Sequence, residues 1–534
     1  MKKAKQTDTF GRRCTALMLI LAICYGTLVW KLYVLTTDEK LQETAAAQQT
    51  YVIEAGKVRG TVYDCNLEPM TNRTRQWITA AVASPTAVTM LRRILPESTA
   101  SGVLERLQKG KPVLLNGRLP QVPGILSIQV PVRYDAGGTA VHVIGYTDAS
   151  GQGVCGIEKD WDAWLAEGGG TVRVRYSADA WGRTLNGAAL EESRSGDGTA
   201  GVVLTIDRRI QQMAEQVAQE SLEKGAVLIV ESETGAVRAM VSVPTYDPDN
   251  AAQALSAPDS PMLNRALCSY NVGSVFKLVT ACSALEAEFV LPEMQCSGSL
   301  LYHGRQFQCI EGLGHGKVGL ERAVAVSCNG YFIRLADEVG AKSVYEMAQK
   351  LGFGREIVLT DSIRTTVGVL PSLQDLSAPA ALANFSFGQG ELLASPLQVA
   401  VMIQTIANGG VQIMPSLIAG TVDENGAFSA SEPAVRERVL SEETAEAVKN
   451  AMRKAISGGT AAHAAPESGD AGAKTATAET GWYQDGEAVV QAWCAGFTEK
   501  YSIVVFAENG RSGSAACAPI FKQLADGLAE LAGA

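Results

Sequence analysis

Three short motifs in a fixed order constrain this chain most, because they can serve one site only in a fold that brings distant segments together. The motifs are Ser274-Val-Phe-Lys277, Ser327-Cys-Asn329 and Lys474-Thr-Ala-Thr477. Each motif alone is common in unrelated sequences. Together and in this order, the three motifs indicate a serine acyl-transfer site. They supply a serine with a lysine one helical turn later, a second serine and a second lysine.

The surroundings of each motif separate a candidate site from chance matches. Ser274 follows Gly273 and opens an apolar run with helical spacing, so it is predicted at a helix N-terminus, where unpaired N–H groups stabilise negative charge. Lys277 is expected on the same face of that helix. Two further matches occur in the chain, Ser221-Leu-Glu-Lys224 and Ser269-Tyr-Asn271. The match at Ser221 lies in an amphipathic stretch and is interpreted as a solvated helix end.

Length and charge limit the partners and the location of the chain. Its 534 residues are enough for two or three domains. A net charge of −10 argues against a nucleic-acid partner. Basic residues cluster in the N-terminal tail, residues 1–13, directly before an apolar stretch at residues 14–35. This pattern predicts a single-pass plasma-membrane protein with its N-terminus in the cytoplasm and everything after the span outside.

Two alternatives to an uncleaved anchor are visible in the sequence. Ala45-Ala46-Ala47 resembles a signal-peptidase site, and Leu21-Ala-Ile-Cys24 hints at a lipoprotein signal. The apolar run is long for a signal peptide, and the alanines lie far from its end. The run also continues beyond Cys24. The uncleaved anchor is therefore the favoured interpretation.

The remaining chain divides into two parts by its sequence pattern. Residues 36–200 are predicted to form a stalk, helical up to residue 49, and an elongated module of mixed structure without a large core. From residue 201 onward, a helical middle is flanked on both sides by strands and further helices. The predicted strands are 202–206, 495–497 and 501–506, with a hairpin within 226–243, and the predicted flanking helices are 209–222 and 519–531. This order predicts, for residues 201–534, an α+β sandwich with an antiparallel sheet and a helical subdomain.

From about Arg59 to the C-terminus, the chain resembles the class B penicillin-binding proteins, monofunctional peptidoglycan D,D-transpeptidases. The resemblance rests on the three motifs and on further elements in the same order, which are Arg59-Gly60 with Asp64, His142-Val-Ile-Gly145-Tyr146, Gly156-Ile-Glu158, Leu204-Thr-Ile-Asp207, Asp247-Pro248, Asn264-Arg265, Gly388-Gln-Gly390, Ser395-Pro-Leu-Gln398 and Gly459-Thr460. It implies a serine β-lactamase-like transpeptidase domain at 201–534, preceded by a pedestal (dimerisation) domain.

The resemblance assigns catalytic roles to five side chains. Ser274 is the expected nucleophile, and Lys277 the expected base. Burial and the charge of Lys474 would depress the pKa of Lys277, as a base requires. Ser327 would relay the proton to the leaving amine, and Asn329 would orient Lys277 and the substrate backbone.

The third motif is expected to bind the substrate. Lys474 with the hydroxyls of Thr475 and Thr477 would hold the free carboxylate of a D-Ala-D-Ala terminus or a β-lactam. The N–H groups of Ser274 and Thr477 would form the oxyanion hole. Ala476 stands where the family normally has glycine. Its methyl group either narrows the site or points to the other face of the strand, and strand position alone does not decide between them.

A second set of side chains has spacing that suggests metal binding. It consists of Cys296, Cys309, His315 and Cys328, with His303 between the first two cysteines. Some elongation-type relatives carry zinc near these places, and three thiolates with one imidazole would form a closed structural site. A Cys296–Cys309 disulfide and plain buried thiols are the alternatives. Catalysis requires no zinc in any of these cases.

The resemblance implies a membrane-anchored D,D-transpeptidase that acts on peptidoglycan stem peptides and is acylated by β-lactams. A membrane glycosyltransferase is the expected partner. The alternative from another class is a catalytically weakened scaffold of a wall-synthesis complex, with Ala476 as the mark of lost turnover. A β-lactamase is disfavoured by the pedestal-like segment, the anchor and the lack of an obvious deacylating glutamate motif.

Overall fold

The computed structural model describes residues 4–41, 50–135, 137–179, 189–484 and 486–533. Its helices are α1 Ala4–Thr37, α2 Pro85–Ile94, α3 Glu97–Gln108, α4 Val141–Ile144, α5 Gly156–Asp160, α6 Asp162–Glu167, α7 Arg208–Ser221, α8 Ala251–Leu255, α9 Lys277–Glu286, α10 Leu320–Ala325, α11 Asn329–Val339, α12 Ala341–Lys350, α13 Pro379–Ser386, α14 Pro396–Ala407, α15 Glu442–Gly458 and α16 Ala518–Gly533.

The strands that these helices accompany are β1 Thr50–Val58, β2 Thr61–Tyr63, β3 Arg75–Ala81, β4 Val113–Asn116, β5 Ile125–Pro131, β6 Gly170–Ser177, β7 Glu191–Arg194, β8 Gly201–Leu204, β9 Gly225–Glu231, β10 Val237–Val243, β11 Tyr270–Asn271, β12 Met294–Cys296, β13 Ser299–Tyr302, β14 Arg305–Gln308, β15 Gly316–Val318, β16 Leu393–Ala394, β17 Val411–Ile413, β18 Ile418–Val422, β19 Phe428–Ala430, β20 Arg436–Arg438, β21 Ala471–Gln484, β22 Glu487–Thr498 and β23 Tyr501–Ala507.

The N-terminal helix α1 has the length and composition of a membrane anchor. Its segment Phe10–Thr37 has 28 residues and is apolar enough to cross a membrane. At 1.5 Å per residue it is longer than the roughly 30 Å hydrocarbon core of a bilayer. Its side chains from Phe10 onward are exposed, which suits contact with lipid. The predicted helical stalk at residues 36–49 lies largely outside the described residues.

By its packing the chain divides into two units. The first comprises the residues up to Lys57, Arg75–Val130 and Thr171–Ser195, and it contains the sheets β4-β3-β5 and β1-β6-β7. The second comprises Val58–Thr74, Pro131–Gly170 and the chain from Gly196 onward. The functional boundary between residues 200 and 201 stays a prediction.

Within the second unit, a buried carboxylate organises the segments that precede residue 200. Glu158 is fully buried and lies 3.0 Å from Arg59 Nε and 2.6 Å from Arg133 Nε. The Tyr134 hydroxyl donates to the same carboxylate at 3.0 Å. Two cations and a hydroxyl thus compensate the cost of burying this charge.

The main sheet of the second unit is antiparallel, with the strand order β10-β9-β23-β22-β21. Successive side chains of β9 alternate between two cores, as the strand period requires. Val227 and Ile229 pack in the cluster that includes α7 and α16, whereas Leu228 and Val230 pack in the cluster that includes α9 and α14. The predicted antiparallel sheet with a helical subdomain is therefore confirmed.

Candidate active site

Two glycine backbones in close contact position the first motif. Gly273 has a φ of +62°, and its N–H donates to the Gly388 carbonyl at 2.9 Å. A Cβ atom at Gly388 would come within 2.0 Å of the Gly273 carbonyl oxygen, so a side chain does not fit there. The chain then forms a 3₁₀ helix at Gly273–Phe276 that continues as α9. Ser274 lies at this helix start as predicted, although the first turn is 3₁₀ rather than α.

The Lys277 amine is the point where the first two motifs meet. Its Nζ lies 3.1 Å from Ser274 Oγ and 2.9 Å from Ser327 Oγ. Two further oxygens accept hydrogen bonds from it, the Ser327 carbonyl at 2.8 Å and Asn329 Oδ1 at 2.6 Å. A neutral amine has two N–H groups for these two acceptors and a lone pair for a serine proton. The geometry therefore suits a base that reaches both hydroxyls.

Burial determines the charge of both lysines. Lys277 and Lys474 are completely buried. Burial and the nearby charge of Lys474 hold the pKa of Lys277 well below its usual range. Burial also lowers the pKa of Lys474 to about 7, and its Nζ donates to the Thr475 carbonyl at 2.8 Å. Since both burial and the charge of Lys474 lower the pKa of Lys277, Lys277 is the lysine favoured to be neutral.

The second motif is held in an uncommon conformation. Ser327 has a φ of +56°, in the left-handed region that residues other than glycine rarely adopt. This turn directs its carbonyl and its hydroxyl to Lys277 Nζ. Asn329 Nδ2 donates to the Gln308 carbonyl at 2.7 Å, which leaves Oδ1 for Lys277.

Strand β21, which carries the third motif, is an edge strand of the main sheet. In the described part of the chain it pairs with β22 alone. Thr475, Thr477 and Glu479 share one face of the strand, and all three line a cleft. Thr475 Oγ1 donates to the Thr460 carbonyl at 3.2 Å, and Thr477 Oγ1 accepts from the Gly513 N–H at 3.2 Å. The other edge of β21 can offer backbone groups to an extended substrate.

The residues of the three motifs meet at this one cleft, which has a volume of about 1100 Å³. Ser274, Ser327 and Asn329 line it together with Thr475 and Thr477. Lys277 and Lys474 do not reach solvent and lie buried beneath the surface. Of the two further matches in the sequence, Ser221-Leu-Glu-Lys224 lies outside the cleft, whereas Asn271 of the Ser269-Tyr-Asn271 match is among the residues that line it.

The methyl group of Ala476 packs against the backbone of Gly273, directly before Ser274. Ala476 lies on the face of β21 opposite to Thr475 and Thr477, is only 4% exposed and belongs to the main core cluster. A Cβ atom at Gly273 would come within 3.3 Å of the Ala476 Cβ. The missing side chain of Gly273 therefore makes room for the extra methyl group. Of the two alternatives for Ala476, the structure supports the methyl group on the face opposite to Thr475 and Thr477, and the residue itself is among those that line the cleft.

The four side chains of the suggested metal set gather beside the second motif. The ligand atoms of Cys296, Cys309, His315 and Cys328 all lie within 4.8 Å of one another. Cys309 Sγ is 3.8 Å from Cys296 Sγ and 3.9 Å from Cys328 Sγ, and Cys296 Sγ is 3.4 Å from His315 Nδ1. Because a disulfide has an S–S distance of about 2.05 Å, Cys296 and Cys309 are not bridged here. His303 lies apart, at an exposed hairpin turn.

The three distances given above for Cys309–Cys296, Cys309–Cys328 and Cys296–His315 are close to those around a tetrahedral zinc ion. With Zn–S near 2.3 Å and Zn–N near 2.0 Å, tetrahedral angles place two sulfurs about 3.8 Å apart and a sulfur and a nitrogen about 3.5 Å apart. Hydrogen bonds from the Cys328 thiol and from backbone N–H groups lower the pKa of Cys309, opposed in part by burial. The resulting thiolate is the form that binds metal. Three cysteines and one histidine are a known structural zinc set.

Comparison with known proteins identifies the family. The model of the penicillin-binding protein transpeptidase domain matches residues 225–526, more than half of the chain, so the chain belongs to this family. Penicillin-binding protein PbpB of Mycolicibacterium smegmatis is 30% identical over 423 residues, which cover 74% of this chain and 62% of that protein. The match thus spans less than two thirds of the relative's length.

Solved structures support the fold. Penicillin-binding protein 3 of Mycobacterium tuberculosis in complex with aztreonam has a TM-score of 0.64 at 23% identity, covering 90% of this chain and 97% of that one. A chain of a peptidoglycan synthase complex that polymerises and crosslinks has a TM-score of 0.72 at 22% identity, covering 96% and 98%. The family match over residues 225–526 and the 30% identity to PbpB confirm the family resemblance drawn from the motifs.

The sequence did not predict the part that β14 takes in the cleft. All four of its residues, Arg305, Gln306, Phe307 and Gln308, line it. The Gln308 carbonyl also fixes the Asn329 amide. Every residue has a backbone carbonyl, so residue identity alone does not show that the Gln308 carbonyl binds the Asn329 side chain. The only available signal was that this strand ends directly before Cys309.

The position of the Ala476 methyl group leads to a prediction. Ala476→Gly is expected to leave the rate of acylation by benzylpenicillin within about threefold of wild type, because the methyl group is buried against Gly273 on the face opposite to Thr475 and Thr477. Thermal stability should fall slightly, since glycine in a strand costs about 0.5–1 kcal/mol. Time-resolved labelling and thermal unfolding measure both effects, with the cleft-facing Thr477→Ala as the matched variant that slows acylation. An acceleration above about tenfold in Ala476→Gly would contradict this packing.

Proposed function

We propose that this chain is a membrane-anchored peptidoglycan D,D-transpeptidase that forms a serine acyl-enzyme and is acylated by β-lactams. The observation that carries the proposal is the position of Lys277 Nζ, within hydrogen-bond distance of both Ser274 Oγ and Ser327 Oγ. Membership in the penicillin-binding transpeptidase family supports the same chemistry.

Acylation uses the buried amine as the base. Ser274 Oγ attacks the carbonyl carbon of the penultimate D-alanine while Lys277 Nζ takes the hydroxyl proton. The backbone N–H groups of Ser274 and Thr477 stabilise the oxyanion, typically by about 3–4 kcal/mol per donor. When the peptide bond breaks, the leaving D-alanine amine receives a proton through Ser327.

Deacylation reverses these proton transfers. The amine of a second stem peptide attacks the ester carbon, and its proton returns through the same groups to Ser274 Oγ. Lys474, with Thr475 and Thr477, binds the terminal carboxylate of the donor during the preceding acylation, and this carboxylate leaves with the released D-alanine. Asn329 orients the donor backbone. The product is a peptide cross-link.

The protein acts at the plasma membrane with its catalytic domain outside. The length of α1 and the basic residues at its N-terminal end support an anchor with a cytoplasmic N-terminus. A membrane glycosyltransferase is the proposed partner, in line with the similar chain that belongs to a peptidoglycan synthase complex.

Labelling with a fluorescent penicillin tests the proposal. Full-length protein in detergent should carry one adduct per chain by gel and intact mass, and Ser274→Ala should lose it because the attacking hydroxyl is gone. Ser221→Ala, which changes the chance match outside the cleft, is the matched control and should keep the adduct. An adduct that survives in Ser274→Ala would contradict the assignment of the nucleophile. Folded wild-type protein without an adduct would favour the scaffold alternative.

The two lysines give the reaction a bell-shaped pH profile. The kcat/KM of penicillin acylation should rise with pH as Lys277 loses its proton, because only the neutral amine accepts the Ser274 proton. It should fall above about pH 7 as Lys474 loses the charge that binds the carboxylate. Lys474→Arg keeps its charge at alkaline pH, so this variant should lack the falling limb. An unchanged falling limb in Lys474→Arg would speak against that role of Lys474.

The cysteine cluster is proposed to hold one structural zinc ion. Cys296, Cys309, His315 and Cys328 would be its ligands, and a bound zinc ion would supply a cross-link between the segments that carry them. The ligand-atom distances and the set of donors support this choice. No step of the acyl transfer uses the metal.

Metal analysis by mass spectrometry tests the zinc proposal. Protein purified without chelator should contain about one zinc per chain, the stoichiometry of a four-ligand structural site. Cys309→Ser should lose most of it and unfold at a lower temperature. Cys65→Ser, a change of a cysteine outside the cluster, is the matched control and should retain the metal. Wild-type protein that folds with four free ligands and no metal would overturn the proposal.

A further inference from the structure

One cation on the cleft wall has no partner in the described part of the chain. Of the described residues that line the cleft, Arg305 and Glu479 are the charged ones, and they lie on different strands. The Arg305 side chain is exposed and forms no ion pair or hydrogen bond with any described residue, although its backbone pairs within the hairpin. A guanidinium in this position is available to a ligand.

The hairpin of β13 and β14 fixes the position of this cation relative to Asn329. Tyr302 pairs with Arg305 across the hairpin. The Phe307 ring contacts the rings of Tyr302 and Phe387, each at 6.4 Å between centroids. At the other end of β14, the Gln308 carbonyl accepts from the Asn329 side chain. Arg305 is three residues further along the strand, about 10 Å from that contact.

The distance along β14 matches the length of a short extended peptide. An extended chain covers about 10 Å in three residues. Asn329 Oδ1 lies 2.6 Å from Lys277 Nζ, which in turn lies 3.1 Å from Ser274 Oγ. A donor peptide whose reacting carbonyl lies at Ser274 can therefore reach Arg305 with a group a few residues, about three, before the scissile bond. Guanidinium groups bind carboxylates through two parallel hydrogen bonds, which gives geometric selectivity as well as affinity.

We propose that Arg305 is a specificity residue that binds a carboxylate on the donor peptide, about three residues before the scissile bond. The inference rests on the proposed transpeptidase function and names a feature of its substrate. Donors with a free carboxylate at this position are preferred over donors with a carboxamide, because the neutral amide lacks the charge that the guanidinium attracts.

A pair of synthetic thioester donors tests this assignment. The two donors are identical except for a carboxylate or a carboxamide three residues before the scissile bond. The kcat/KM of thiol release by full-length protein in detergent is measured for both. Wild type should prefer the carboxylate about three- to tenfold, the range for a solvent-screened ion pair with charged hydrogen bonds. This preference should shrink at high salt.

Variants separate the charge of Arg305 from general effects. Arg305→Gln should bring the ratio of the two rates to about one, whereas Arg305→Lys should retain part of the preference. Arg334→Gln removes an exposed arginine of α11 that does not line the cleft, and it should keep the wild-type ratio. Thermal unfolding of each variant confirms its fold.

The outcomes distinguish this inference from the proposed function. A wild-type ratio near one, or an unchanged ratio in Arg305→Gln, would overturn the role of Arg305 while penicillin labelling of the same samples still proceeds. Wild-type protein that forms no penicillin adduct would overturn the transpeptidase proposal, and the role of Arg305 with it.

Discussion

A completely buried lysine amine needs an acceptor for each of its N–H groups, and this requirement at Lys277 organises the site. The Ser327 carbonyl and the Asn329 side chain supply these acceptors. To do so, the loop adopts a left-handed turn at Ser327, and the Gln308 carbonyl holds the Asn329 amide in one orientation. Because α9 is buried almost along its full length, the amine itself has a fixed position. The hydroxyls of Ser274, the proposed nucleophile, and of Ser327 are then within reach of one nitrogen.

The same three-residue motif connects this site to the cysteine cluster. Ser327 and Asn329 contact Lys277, whereas Cys328 between them contacts Cys309. Cys296 precedes the hairpin of β13 and β14, and Cys309 follows it. The cluster therefore places Cys296 and Cys309, which flank the hairpin, next to the loop that carries Ser327. A change in the cluster would act on the cleft through this loop and through β14, which forms part of the wall.

Local patterns predicted the elements of the main domain, but not the contacts between distant segments. Asp207 caps α7 as expected, accepting from the N–H groups of Arg209 and Ile210. The hairpin of β9 and β10 and the closing helix also lie within a few residues of their predicted places. The pairing of β2 with β8 was not predictable, since the local sequence of a strand does not determine which distant strand it pairs with. The direction of the Ala476 side chain likewise depends on sheet register, which only the assembled fold determines.

Two lysines buried in one site cannot both carry a full charge without a large cost, and this conflict divides their roles. Each is deprived of water, but Lys277 is additionally affected by the charge of Lys474. Lys277 also faces two carbonyl-type acceptors and two hydroxyls, a set that a neutral amine satisfies. Lys474, with a pKa near 7, is charged more easily, and a bound carboxylate would raise that pKa further. These different environments separate the pKa values of the two lysines, which supports Lys277 as the proposed base and Lys474 as the proposed carboxylate-binding cation.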